Sequence, residues 1–142
     1  MKAKYTLSIL LCCAFLAGCK GAGGNSGGAA QEPATDIHES PASIVEAYFD
    51  AVFGGDIDAL MMCCDPDDPD KDFEATRENT AAFYGSPEYK QWLESTTRPE
   101  IMDVEFSDDF EFADVIYEYE SAGVCLTDNT TVHCRDGKWY VD

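Results

Sequence analysis

Residues 113–120 read ADVIYEYE, and this alternation of side chains predicts a half-buried β-strand. The side chains on the apolar side are Ala113, Val115, Tyr117 and Tyr119, and those between them are Asp114, Ile116, Glu118 and Glu120. The upstream segment from Met102 to Phe106 alternates in the same way. The pattern therefore predicts an antiparallel sheet with one face on an apolar core.

Two tight turns are predicted between Val124 and Asp142. The segments Asp128-Asn129-Thr130 and Arg135-Asp136-Gly137 hold residue types that turns favour, and they would divide this region into three short strands. A turn at Asn129-Thr130 places Cys125 opposite Cys134, at a Cα separation of about 4.5 Å. Because this separation suits a disulfide, we favour a bridge between the two cysteines.

Upstream of the strands the apolar period changes to that of helices. Pro41 opens a helix that ends at Gly54-Gly55, and Asp56 caps a second, short one. A third helix is predicted over residues 73–84, and Ser86-Pro87 opens a fourth. Helices followed by strands predict an α+β domain, in which the helices pack on one face of a curved antiparallel sheet.

The amino terminus has the features of a secretory signal peptide. Two lysines precede an apolar run from Leu7 to Ala17, which is too short to span a bilayer. Residues 16–19, LAGC, resemble a bacterial lipobox, which implies that residues 1–18 are removed and that the Cys19 thiol is acylated with diacylglycerol. Residues 19–40 are rich in Gly, Ala and small polar residues, so they predict a flexible linker, in which His38 is solvated. The folded domain is then expected over residues 41–142.

The lipobox resemblance implies a protein of the cell envelope that is anchored to a membrane through the lipid on Cys19. Lys20 rather than Asp follows this cysteine, as in Gram-negative lipoproteins that are released to the outer membrane. The chain has 9 Lys and Arg against 28 Asp and Glu, which gives a net charge of −19. This charge argues against nucleic acid and against an anionic membrane surface as electrostatic partners.

Three segments resemble the small NTF2-like domains (cystatin-like α+β cones), in particular the DUF4878-type domain of bacterial lipoproteins. They are residues 40–49 (SPASIVEAYF), the step Gly55-Asp56, and residues 136–141 (DGKWYV). The resemblance covers most of residues 41–142 in element order, but not the acidic loop or the cysteines. It implies a cone with a pocket between helices and sheet, which in some members catalyses isomerisation or dehydration and in many only binds or dimerises.

Five aromatic side chains are predicted either to line such a pocket or to fill the core: Tyr48, Trp92, Tyr117, Tyr119 and Trp139. Core packing is the favoured interpretation. The titratable candidates for catalysis are Asp56, Asp114 and His133. Their alternatives are, in that order, a helix cap, a solvent-facing strand residue and an edge-strand surface residue.

We favour a binding or interaction domain for a small molecule or an envelope protein. An isomerase or dehydratase, or an accessory subunit of an envelope complex, is the alternative.

The acidic loop at residues 65–72 and the cysteines hold residue types that bind metals. Clustered carboxylates suit Ca²⁺, but prolines interrupt the spacing, so a solvated loop is expected. The cysteines have no CxxC spacing, so the sequence does not indicate a zinc site. Cys63 and Cys64 either pair elsewhere or stay as buried thiols. We therefore expect no metal and no cofactor.

We expect a monomer or weak dimer, because Glu118 and Glu120 on the outer sheet face would repel a second copy.

Overall fold

The computed structural model describes residues 36–142, which form an α+β fold. The helices are α1 (Pro41–Gly54), α2 (Ile57–Met62), α3 (Phe73–Tyr84) and α4 (Pro87–Ser95). The strands are β1 (Glu100–Phe106), β2 (Phe112–Ser121), β3 (Val124–Arg135) and β4 (Lys138–Val141), which form one antiparallel sheet in the order 1-2-3-4. The predicted α+β class, with helices packed against an antiparallel sheet, is confirmed. The predicted signal peptide, the lipidated Cys19 and the linker up to residue 35 lie outside the described residues.

Helix α1 starts and ends on local signals. The Ser40 hydroxyl accepts a hydrogen bond from the Ser43 N–H, and the Ser43 side chain accepts one from the Ser40 N–H. Pro41 stands in the first turn, where its missing N–H has no consequence. Gly55 ends the helix in the left-handed conformation, at φ 64°. None of the helices in the described part of the chain is long and apolar enough to cross a membrane.

The core lies between α1 and the inner face of the sheet, which we define as the face that carries Val115 and Tyr117. The side chains that α1 buries completely are Ile44, Val45, Phe49 and Val52. The Phe49 ring meets the Tyr117 ring edge to face, with centroids 5.1 Å apart. Because both rings are fully enclosed, Phe49→Ala removes about 3–5 kcal/mol of stability.

Arg98 connects the start of β1 to α1. Its guanidinium bonds the carboxylate of Glu46 and lies 2.7 Å from the carboxylate of Asp50, both on α1. The same group stands over the Phe49 ring, 5.8 Å from the centroid. This contact fixes the sheet against the helix at one end of the core.

The hairpin between β2 and β3 differs from the prediction. Its turn is Ala122-Gly123, at φ 50° and 81°, and β3 runs without a break from residue 124 to 135. Asp128, Asn129 and Thr130, predicted as a turn, pair with β2 instead. That prediction is wrong because the turn formed here has positive φ at both central positions, as in a type I′ turn, which Gly123 adopts freely and β-branched Thr130 does not. The predicted turn before β4 is confirmed, with Asp136 and Gly137 at φ 53° and 77°.

Cys125 and Cys134 lie on one strand, so the predicted disulfide between them is wrong. Cys125 is opposite Glu120, and Cys134 is opposite Trp139. Nine steps of extended chain separate the two Cα atoms by about 30 Å. A disulfide requires less than about 7 Å. All four cysteines of the described range carry free thiols.

His38 packs on β4, so its predicted solvation is wrong. The Trp139 N–H donates to the His38 carbonyl over 3.0 Å, and His38 Nδ1 lies 2.7 Å from the Trp139 carbonyl oxygen. The ring is also 4.7 Å from that of Tyr140. Compositional bias toward small polar residues did not reveal this contact, because backbone pairing with a strand depends little on composition.

Candidate functional site

Four titratable side chains meet where β3 pairs with β4. We call them the Asp65 cluster: Asp65, His133, Arg135 and Asp142. His133 Nε2 lies 2.9 Å from Asp65 Oδ2, and Arg135 Nη1 lies 3.0 Å from the same oxygen. His133 Nδ1 bonds the carboxylate of Asp142. One buried carboxylate thus contacts a guanidinium and an imidazole, and the imidazole bridges two carboxylates.

Backbone pairing brings Asp65 to this place. The Val141 N–H donates to the Cys63 carbonyl over 2.9 Å, and Cys64 forms a parallel bridge with Val141. The chain that leaves α2 therefore runs beside β4, and the next residue reaches His133 on β3. Asp65 Oδ1 also accepts the Asp67 N–H over 2.9 Å, which holds the loop in place.

Asp65 is ionised within the fold although it is 1% exposed. Burial raises the pKa of its carboxyl group, but the His133 hydrogen bond, the Asp67 N–H and the Arg135 charge together outweigh burial and hold the pKa below its usual value of 3.8. The solvated loop expected from the sequence is therefore wrong for this residue. Within this loop, Asp65 is a buried carboxylate that pairs with His133 and Arg135.

His133 has both ring nitrogens engaged. Each faces a carboxylate oxygen, so both contacts form together only when both nitrogens carry hydrogen. While they hold, neither nitrogen is open to accept a proton from a substrate. The side chain is 14% exposed, so the alternative of an edge-strand surface residue is wrong. This geometry favours an anchoring role for His133.

A groove of about 620 Å³ opens to solvent beside the cluster. Its lining residues are Asp68, Pro69, Asp70, Glu111, Phe112, His133, Cys134, Arg135 and Asp142. The side chains of His133 and Arg135 are directed at Asp65, whereas Asp70 and Glu111 are exposed and, within residues 36–142, make no hydrogen bond through their side chains. Phe112 is 45% exposed at the same place. The groove therefore combines negative charge with one open aromatic face.

Two other carboxylates of the acidic loop, Asp68 and Asp72, bond the backbone. The Asp68 side chain accepts the Asp70 N–H, and Asp72 caps α3 by accepting the Ala75 N–H over 3.0 Å. Within residues 36–142, no group of three or more His, Cys, Asp and Glu side chains is placed to hold a metal ion.

The other two catalytic candidates lie apart from the Asp65 cluster. Asp56 caps α2 by accepting the Ala59 N–H over 2.9 Å, as its structural alternative predicted. Asp114 stands on the outer face of β2 and accepts the Thr131 hydroxyl over 2.6 Å. Neither residue contacts His133, so the structure does not bring the three candidates together.

The five predicted aromatic residues lie in or beside the core. Tyr48, Tyr117, Tyr119 and Trp139 are buried in the core cluster, and Trp92 packs against it. Burial, and next the Asp128 charge, raises the pKa of Tyr119 to about 12. Tyr119 therefore keeps its phenolic proton at neutral pH.

Cys63 and Cys64 are buried thiols. Burial, and next the neighbouring Cys64, raises the pKa of Cys63 to about 12, and burial also raises the pKa of Cys64. Thiols of this kind are unreactive and pack as small apolar side chains. The sequence left two alternatives for these cysteines, pairing elsewhere or remaining as buried thiols, and the structure shows the second.

Sequence reasoning missed Arg135 and Asp142 and treated Asp65 as a loop carboxylate. One signal was available, because His133 and Arg135 are two residues apart on a strand and so share a face. In a chain with 28 Asp and Glu, two basic side chains on one face of a strand are placed to pair with carboxylates. Which of the 28 acidic residues fills that role is set by the tertiary fold.

Comparisons with known proteins give no match for this chain. Nothing matches among protein-family models, curated proteins or solved structures. The NTF2-like resemblance therefore rests on the segments quoted for it above and stays a prediction.

Proposed function

We propose that this chain is a lipid-anchored protein of the cell envelope, in the outer membrane of a Gram-negative bacterium, whose NTF2-like domain binds an organic cation. The lipobox-like LAGC at residues 16–19 supports the anchor. The observation that carries the binding function is the groove of about 620 Å³ beside the Asp65 cluster.

The charge distribution of the groove favours a cation. His133 and Arg135 are matched with Asp65 and Asp142. Among the residues that line the groove, the carboxylates of Asp68, Asp70 and Glu111 are then left without a basic partner. A ligand with amino or guanidino groups would meet these carboxylates in an open, hydrated site. The exposed face of Phe112 adds a cation–π contact worth about 0.5–1 kcal/mol.

Calorimetric titration of the full chain with spermine tests the binding site. D70N/E111Q removes two groove charges whose carboxylates make no hydrogen bond to the described part of the chain, so it should weaken spermine binding about tenfold, or about 1.4 kcal/mol. The matched control is E118Q/E120Q, which removes the same charge from the far part of β2 and should change affinity by less than about twofold. Equal losses in both variants would mean that spermine responds to overall charge and not to the groove.

Phe112 gives a second test of the same site. F112L keeps an apolar side chain but loses the ring, so spermine affinity should fall by about threefold. An unchanged affinity would show that the cation does not contact this ring. The groove would then bind through charge alone.

Fractionation of cells that produce the chain tests the anchor. C19S removes the thiol that the lipobox resemblance assigns to acylation, so the protein should leave the membrane fraction or retain its signal peptide. C13S, in the apolar run, is the matched control and should behave as the wild type. Membrane association of C19S with normal processing would contradict the anchor while leaving the groove untouched.

A further inference from the structure

Part of β3 has one side without a partner strand in the described range. β3 pairs with β2 from Val124 to His133, but its pairing with β4 covers only Val132 to Arg135. Residues 124–130 therefore form a free edge. In a hairpin with a two-residue turn, the two residues that flank the turn form a hydrogen-bonded pair. The direction of the backbone groups alternates along the strand from there, so every second residue of this edge directs its N–H and C=O groups away from β2. These residues are Cys125, Thr127 and Asn129.

The other edges of the sheet are protected. β1 has a register shift at Met102 and carries three acidic residues, Glu100, Asp103 and Glu105. The edge of β4 is covered by backbone hydrogen bonds to His38 and Cys63. Bulges, charges and covering chain are the usual means of preventing strands from pairing at an edge.

The free edge of β3 lacks such protection. Its sequence, VCLTDNT, contains a single charge, Asp128, and neither Pro nor Lys. Val124 and Leu126 are 56% and 37% exposed. The edge is long, regular and rich in residues that favour strands.

We propose that residues 124–130 are a dimerisation edge that pairs antiparallel with the same residues of a second copy. The composition of the edge permits this occupant. A net charge of −19 keeps most surfaces of two copies apart, but this edge carries one charge, Asp128, which the twofold register places opposite an apolar residue. An antiparallel edge is also complementary to itself under twofold symmetry. The inference does not depend on the groove or on the anchor.

The register follows from the limits of the free edge. Its centre is Thr127, so a twofold axis there pairs each outward-directed residue with another outward-directed one. Cys125 then faces Asn129 of the second copy, and Asp128 faces Leu126 of the second copy, so no like charges are opposed. About six backbone hydrogen bonds join the two copies into one continuous sheet.

Disulfide trapping in the full chain tests the register. T127C in a C125S background places two thiols across the axis, with Cα atoms about 5.5 Å apart, and should give a crosslinked dimer on mild oxidation. N129C in the same background is the matched control, because its Cα atoms are about 13 Å apart, and it should stay at the level of C125S alone. N129C with Cys125 retained should crosslink again.

Equal crosslinking of T127C and N129C in the C125S background, or none in either, would overturn the proposal. A crosslink from T127C to a protein of different mass in cells, with a monomeric purified chain, would also overturn it and identify a foreign strand as the occupant.

A proline at the centre of the edge gives an independent test. T127P removes an N–H that points away from β2, so the monomer fold should persist while the dimer is lost. Sedimentation over a concentration series should show a shift from dimer to monomer, and circular dichroism should remain unchanged. A wild-type chain that sediments as a monomer throughout, or a T127P chain that keeps the dimer and the fold, would contradict the proposal.

Discussion

At the scale of single residues, Asp65 stands out because its charge is buried and fully partnered. D65N keeps the shape of the side chain but leaves His133 and Arg135 facing an amide, so the free energy of unfolding should fall by about 3 kcal/mol in urea denaturation. The matched control is D67N, an exposed carboxylate of the same loop, which should change stability by less than about 0.5 kcal/mol. Equal effects of the two variants would show that the loop responds to net charge and not to this contact.

The same carboxylate predicts how stability depends on acid. The pKa of Asp65 is lowered in the folded state, so below its usual value of 3.8 the unfolded chain binds more protons than the folded one. Stability from this residue is therefore fully present above that value and is lost as the pH falls through the folded pKa. The difference in unfolding free energy between wild type and D65N should shrink as the pH falls below about 4. A difference that persists in strong acid would contradict the ionised state of Asp65.

At the scale of elements, the β2–β3 hairpin depends on backbone conformation at its turn. Gly123 has φ 81° and nothing within 4 Å of an added Cβ atom, so G123A meets no clash and reports conformation alone. It should destabilise the fold by about 1 kcal/mol. G54A is the matched control, because Gly54 is helical with equal space around it, and it should stabilise the fold by about 0.5 kcal/mol. Thermal unfolding of both variants checks the opposite signs, and a shift in the same direction would refute the argument.

At the scale of the whole molecule, the net charge of −19 opposes folding through self-repulsion. Sodium chloride screens this repulsion, so the free energy of unfolding should rise between about 0.01 and 0.15 M salt. D65N serves as the control for local effects. If its free energy of unfolding rises with salt as much as that of the wild type, the increase comes from overall charge. A stability that falls with salt would indicate that the Asp65 cluster and the Arg98 contacts outweigh the repulsion.

The sequence by itself determined the features that depend on neighbouring residues. The bounds of α1 follow from Pro41 and Gly54-Gly55, α2 and α4 begin where predicted, and β2 occupies the alternating stretch. Such signals act through hydrogen bonds and side-chain periods within a few residues. The α+β class follows from them because helices and strands are segregated along the chain.

Only the tertiary structure decided which residues from distant segments meet. Asp65 and His133 are 68 positions apart, and no local pattern specifies that one acidic residue among many is buried beside that histidine. The choice of Ala122-Gly123 over Asp128–Thr130 as the turn also depended on pairing along the whole of β2. Strand register and ion pairing depend on the summed energy of long-range contacts, so the Asp65 cluster, its groove and the free edge of β3 became visible only in the fold.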